Sequence, residues 1–364
     1  MIEFMITRRV FLQRTATAAV GAAVPLSALR LIGAEALPRP ARTVSFFLIG
    51  DTHYCADAIE TSAMNARSAE YNGRLIEWLN KLPGTEIPAA AGPGVVADPH
   101  GVVHAGDLVD NGDKNGPQFK AMVETELAAF VADWGLGGGD GRLRWPVREI
   151  HGNHDSPHGD GAVISEIKAR NRRRPGLTNV SPNGLHYSWD WGGVHFVALG
   201  IVAGDAPAVK RPRRYAPLGS LPFLADDLAQ HVGQSGRPVV IVHHVDVARY
   251  SKPVADEVVV KQEWDYGDVH AFYEMLKPYR TVATLYGHTH VRNIFRWDGT
   301  PERKVAGGIA SINTDNAAHY HDAQQAFLHL EIDERELRVR EFSTKDAWLT
   351  GFWTPQIWRF PIPA

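Results

Sequence analysis

Cysteine is nearly missing from this chain: Cys55 is the single thiol in 364 residues. An internal disulfide framework and a cysteine-walled zinc cage are both excluded. An excess of one charge is missing too. With 38 Lys+Arg against 41 Asp+Glu the formal charge is −3. That balance argues against a dedicated nucleic-acid binder, whose domain is usually basic throughout. A 44% hydrophobic and 22% charged composition is ordinary for a globular protein, so a disordered, collagenous or coiled-coil chain is ruled out. What the chain has in quantity is histidine, 17 in all. A His-rich, Cys-poor sequence is where an imidazole-and-carboxylate metal site is worth seeking.

The first residues read as an address. Thr7, Arg8, Arg9, Val10, Phe11 and Leu12 resemble a twin-arginine export signal, followed by an Ala-rich run from Ala16 to about Ile32. Ala34-Glu35-Ala36 supplies a small-x-small cleavage pattern. Pro25 and Arg30 interrupt the apolar run, leaving it short of the roughly 18 residues a spanning helix needs. The expectation is a signal over residues 1–36 that is removed on export by the twin-arginine machinery. That leaves a periplasmic or secreted protein with no stable membrane anchor. Cys55 would then be the only thiol in an oxidising compartment, and is expected to be buried.

Residues 41–364 are expected to form one α/β domain. The run TVSFFLIG (43–50) reads as a buried strand ending in Gly-Asp. Helical periodicity covers 63–82 until Pro83-Gly84 stops it, and 83–100 reads as a long surface loop. Strands are expected over 101–105, 146–150, 238–242, 281–286, 291–297, 326–332 and 336–342. Residues 185–191 and 194–199 form a hairpin around Gly192-Gly193. Helices are expected over 118–134, 221–231 and 269–276. Strands and helices alternate early and a strand-rich half follows, which suggests two stacked sheets with helices outside.

Chemistry collects at the strand ends. Five motifs occur in order: Asp51-Thr52-His53, Gly106-Asp107-Leu108-Val109-Asp110, Gly152-Asn153-His154-Asp155, His243-His244, and Gly287-His288-Thr289-His290. Their Asp, His and Asn side chains suit Mn, Fe or Zn better than a soft ion. In an extended strand residues i and i+2 share a face, so Asp-x-His and His-x-His are each expected to aim two groups at one ion.

This motif series resembles that of the calcineurin-like metallophosphoesterases: D-x-H, G-D-x-x-D, G-N-H-[DE], H and G-H-x-H. The resemblance implies a four-layer α/β/β/α sandwich of two mixed sheets flanked by helices, and a centre of two divalent ions. It places Asp51, His53 and His290 on the first metal and Asn153, His243 and His288 on the second, with Asp107 bridging. His244 then stands behind the ligands. It makes His154 the residue that reaches substrate, with Asp110 orienting it. The implied reaction is attack on phosphorus by a hydroxide bridging the two ions, with a small phosphorylated substrate. Asn111 and Asp155 stand where the protein Ser/Thr phosphatases carry Arg and Glu, and Asp110 stands where purple acid phosphatases carry a Tyr ligand. What remains resembles a bacterial secreted branch that holds phosphomonoesterases, the favoured activity here, and phosphodiesterases. A non-catalytic metal-binding scaffold is the contrasting class, and every ligand position being filled argues against it.

Other polar residues carry blander expectations. His104 and His151 read as core histidines. His158 and Asp160 read equally as lining of the substrate mouth or as polar residues of a Pro/Gly loop, and Tyr54 as a substrate contact. His319, His321, Asn313, Asp315 and Asn316 read as rim or surface residues. The basic clusters at 168–174 and 210–214 read as solvated loops rather than a funnel for anions. Trp348, Phe352, Trp353, Trp358 and Phe360 read as a tail closing the core.

Overall fold

Strand Val44–Ile49 (VSFFLI) is buried at all six positions, as a strand covered on both faces must be. It sits inside a six-stranded sheet ordered Phe352–Pro361, Glu336–Thr344, Gln325–Ile332, Val44–Ile49, Val102–His104, Val147–Glu149. The first three pairings, as far as Val44–Ile49, are antiparallel, and the two pairings beyond it are parallel. A seven-stranded sheet is ordered Asn293–Trp297, Ile309–Asn313, Thr281–Tyr286, Val239–Val242, Val194–Ala198, Tyr187–Trp191, Leu177–Val180. Its four middle strands are parallel. The structure, a computed structural model, describes residues 43–362, so the export signal and its cleavage site lie outside the described residues. Among the described residues no helix is long and apolar enough to cross a membrane.

Three apolar cores fix the layers. Phe46, Leu48, Trp189, Phe196, Val240, Ile312 and Leu328 pack between the two sheets. Helices Ala66–Lys81, Pro117–Trp134 and Gly161–Arg173 cover the outer face of the first sheet through Leu75, Leu79, Phe130, Trp134 and Ile164. Helices Ser220–Asp227 and Tyr266–Leu276 cover the second through Leu224, Phe272 and Leu276. The expected four layers are present. Asn65 caps the first helix, its side chain accepting from the amides of Arg67 and Ser68.

Three local expectations need correction. The stretch 83–100 carries a two-stranded ribbon, Glu86–Ile87 with Gly94–Val95, around a 3₁₀ turn. The basic residues 168–173 belong to helix Gly161–Arg173, and Arg170 and Arg174 are buried on the carboxylate of Glu149. Helical spacing turns two of the arginines inward, and a buried carboxylate compensates them. Arg211 and Arg213 pair with Asp265 and Asp268, so this cluster is not a free basic surface either. Of the late aromatics, Trp348 precedes the edge strand Phe352–Pro361 and the other four lie on it; Trp348 and Phe360 are buried, Trp353 and Trp358 pack partly buried on the cores, and only Phe352 of the five is exposed.

Candidate metal centre

All five motifs follow the carboxyl ends of parallel strands: 51–53 after Val44–Ile49, 107–110 after Val102–His104, 152–155 after Val147–Glu149, 243–244 after Val239–Val242, and 287–290 after Thr281–Tyr286. Parallel strands bring those ends to one rim, where crevices form in open α/β sheets. The loops are then tied together. The amides of His53 and Tyr54 donate to the carbonyls of Asp107 and Leu108 at 3.1 and 3.0 Å. The Asp155 carboxylate accepts from the amides of Leu108, Val109 and Gly152, joining the second loop to the third. The Asp51 carboxylate accepts from the amide of His288 at 2.9 Å, joining the first to the fifth.

The i, i+2 strand argument does not describe how the side chains are aimed. Asp51, His53, Asp107, His288 and His290 have φ of 56°, 41°, 54°, 76° and 52°, so each pair lies in left-handed backbone beyond its strand. Such backbone costs on the order of 1–3 kcal/mol per residue, and persists where the surroundings over-determine it. The motif glycines allow close approach. A Cβ on Gly152 would lie 2.2 Å from Asp107 Oδ1, and one on Gly287 would lie 2.5 Å from Asp51 Oδ2.

The histidine tautomers follow from what lies outside the site. A carbonyl or carboxylate only accepts, so the ring nitrogen facing it must carry the proton. His53 Nδ1 faces Asp110 Oδ1 at 3.2 Å. His244 Nδ1 faces the Ala105 carbonyl at 2.7 Å. His288 Nε2 faces Glu263 Oε2 at 3.1 Å, and His290 Nδ1 faces Asp322 Oδ2 at 3.0 Å. The neutral form of each ring leaves its other nitrogen bare and pointing inward. There the bare atoms meet other acceptors. His53 Nε2 stands 3.2 Å from His290 Nε2, with Asp107 Oδ2 at 3.7 Å. His290 Nε2 stands 3.6 Å from Asp51 Oδ1. His244 Nε2 lies 3.2 Å from Asp107 Oδ2 and 3.1 Å from Asn153 Oδ1, which is 2.8 Å from His288 Nδ1.

Acceptors packed against acceptors repel unless a cation or protons lie among them. The donor set fits two divalent ions, one by Asp51, His53 and His290 and one by Asn153, His244 and His288. Asp107 Oδ2 faces both groups. Without metal, protons take that place. Burial opposes charging His244 and His290, but Asp107 acting on the first and Asp51 on the second outweigh it, raising each to about 9. Burial would also raise Asp107, yet the surrounding histidines hold it well below the usual carboxylate range.

His243 is the one expected ligand the structure does not bring here. It is fully buried, stacked on Tyr286 at 5.5 Å and edged by Trp264 and Phe272, with Nδ1 on the Val245 carbonyl at 3.0 Å. Consecutive residues leaving a strand face opposite sides, so only one of the pair can reach the rim, and it is His244.

His154 stands over the first group, its ring centroid 4.7 Å from that of His53. Its Nδ1 is held by the main-chain carbonyl of Asp110 at 3.1 Å, and among the described residues none hydrogen-bonds its Nε2. The Asp110 carboxylate orients His53 instead and stays 4.0 Å from His154. Asp110 therefore positions both rings, by different atoms. Burial lowers the His154 pKa, but Asp107, the Asp110 carbonyl and Asp113 raise it above the ordinary histidine value.

Two carboxylates that no sequence motif announces join the site, together with His319, one of the histidines expected at a rim or surface. Glu263 and Asp322 are the carboxylates behind His288 and His290, and His319 shares Asp322 through its Nδ1 at 2.7 Å. The His319 ring lies 4.7 Å from that of His53, so it belongs to the inner rim rather than the surface. Tyr54 turns inward, donating to Asp133, and makes no rim. Cys55 is half-buried, not buried, beside Asp110 and Tyr320.

A sequence profile of the calcineurin-like phosphoesterases matches residues 44–292, more than half of the chain. No curated protein matches. Among solved structures the chain is similar to a dimetal phosphatase from Danio rerio, at 14% identity and TM-score 0.48 over 88% of this chain and 99% of that one. It is also similar to PhoD, at 10% identity and TM-score 0.47 over 87% of this chain and 73% of that one. The chain belongs to the calcineurin-like phosphoesterase family, metal-binding hydrolases of phosphoric ester bonds.

Proposed function

We propose that this protein hydrolyses small phosphate monoesters at a centre of two divalent ions, Mn, Fe or Zn. The observation that carries it is the convergence of the inner ring nitrogens of His53, His244, His288 and His290 with the Asp107 carboxylate and the Asn153 amide oxygen, each within 3.7 Å of another member of the set. Asp51, His53, His290 and Asp107 would hold one ion; Asp107, Asn153, His244 and His288 the other. Bound there, the ions would supply Lewis acidity to a phosphoryl group and to water at neutral pH.

The chain's own residues do the rest. Asp110 keeps His53 and His154 in single tautomers, one through its carboxylate and one through its carbonyl. His154, with Nε2 unclaimed, holds a proton for the leaving alkoxide, a contribution of about 10²–10⁴-fold. Two divalent ions and a protonated imidazole suit the two negative charges of a monoester better than the single charge of a diester. The twin-arginine motif at Arg8-Arg9 supports export of the protein to a periplasmic or secreted location, with the signal removed. The near-balanced charge of −3 supports a small phosphorylated substrate over nucleic acid.

The test compares phosphate release from p-nitrophenyl phosphate with turnover of bis-p-nitrophenyl phosphate, on protein reconstituted with each metal. Preference for the diester would overturn the monoester assignment, and turnover of neither would overturn the enzyme.

A further inference from the structure

We propose that Glu263 and Asp322 are positioning residues that set the two metal positions independently, Glu263 the one held by His288 and Asp322 the one held by His290. The inference rests on the two-ion centre proposed above and extends it to residues outside the five motifs.

The two histidines of Gly287-His288-Thr289-His290 present opposite nitrogens to the site. His288 turns Nδ1 inward, 2.8 Å from Asn153 Oδ1. His290 turns Nε2 inward, 3.2 Å from His53 Nε2. Two residues apart in one loop, the two rings are held in these opposite senses by outer partners. Each has a carboxylate on its outer nitrogen, from a different part of the chain. Glu263 lies just before helix Tyr266–Leu276 and accepts a hydrogen bond from His288 Nε2 at 3.1 Å. Asp322 lies in the loop before strand Gln325–Ile332 and accepts a hydrogen bond from His290 Nδ1 at 3.0 Å.

Both carboxylates are themselves held. The hydroxyls of Tyr250 and Tyr215 donate to Glu263, and Arg214 lies 4.0 Å away. Asp322 accepts from His319 at 2.7 Å, its amide donates to the His319 carbonyl, and its own carbonyl accepts from Gln325. No residue is shared between the two supporting sets. A carboxylate on the outer nitrogen fixes the tautomer and raises ligand basicity, and its loss typically weakens metal binding about 10–100-fold. With separate supports, that loss should fall on one ion at a time.

The experiment uses the full-length chain and Mn²⁺ as the probe. Glu263→Gln and Asp322→Asn are compared with wild type by metal titration and by electron paramagnetic resonance, which separates a coupled Mn pair from a lone Mn ion. His244→Ala and His53→Ala supply the reference spectra of a protein lacking the second or the first position. Each amide variant is expected to keep one ion at wild-type affinity and bind the other about 10–100-fold more weakly. Glu263→Gln should then match the His244→Ala spectrum, and Asp322→Asn the His53→Ala spectrum. Asp322→Glu should recover part of the lost affinity. Two ions bound with unchanged affinity in both variants, or loss of the same ion in both, would overturn the proposal. Should Glu263→Gln fail to fold, Tyr250→Phe loosens Glu263 without removing it, and unchanged affinity there overturns the proposal equally. A wild-type protein that never binds two Mn ions fails the two-ion reading itself, a result distinct from two intact ions in the variants.

Discussion

His243 and His244 are neighbours in sequence with opposite fates: His244 Nε2 lies 3.2 Å from Asp107, while His243 is stacked on Tyr286 in the core behind the second sheet. The difference predicts a clean separation. His244→Ala should drop metal content from two ions towards one. His243→Phe should keep both, and cost about 1–3 kcal/mol from the unmade bond to the Val245 carbonyl. Metal analysis with a denaturant titration checks both. Loss of metal in the His243 variant alone would reverse the assignment.

That pair also marks where sequence stops being sufficient. The motif order singled out Asp51, His53, Asp107, Asn153, His154, His288 and His290, which the structure gathers at one rim, because Asp, His and Asn beside glycine at strand ends have few other uses. Which histidine of a pair faces the rim depends on where Val239–Val242 leaves the sheet, a matter of one residue in register. Glu263 and Asp322 were illegible for another reason: each acts across a distance set by packing, from a segment with no motif of its own. The arginines at 168–174 looked solvated because their partner, Glu149, lies on a strand some twenty residues upstream. The two-sheet sandwich was legible because buried parallel strands write themselves as continuous apolar runs.

The free Nε2 of His154 predicts a leaving-group effect. His154→Ala should hold both metals and lose about 10²–10⁴-fold in turnover of alkyl phosphates, whose leaving alkoxide needs a proton. The loss should be smaller for p-nitrophenyl phosphate, because nitrophenolate leaves without one. Equal losses on the two esters would assign His154 to charge stabilisation rather than proton donation.

Buried neutral histidines predict early acid unfolding. Burial, the largest cause in every case, lowers His104, His151 and His243 to about 3 and His186 and His329 to about 4. Unfolded, each titrates near its ordinary value of about 6.5. Below that pH the unfolded chain binds protons that the folded chain refuses, so stability is full above about 6.5 and falls as the pH drops. Denaturant midpoints measured from pH 7 to 4 should fall with a slope of more than one proton. A flat profile down to pH 5 would contradict this.

The triad of Glu149 with Arg170 and Arg174 predicts the largest single loss away from the metal site. All three are buried, and Arg170 Nε lies 2.6 Å from Glu149 Oε1. Burial alone would push the Glu149 pKa up, but the two guanidinium groups outweigh it and hold it at about 2. Its charge therefore contributes stability above about pH 4.5, and that contribution is lost as the pH falls towards about 2. Glu149→Gln keeps the volume and leaves two buried cations uncompensated, which should cost about 3–5 kcal/mol. Replacing all three by apolar residues of similar size should cost much less, because the desolvation of the ions disappears with them. Urea unfolding of the single and triple variants compares the two. A triple variant less stable than Glu149→Gln would mean that the ion pairs hold the third helix on the sheet by more than charge compensation.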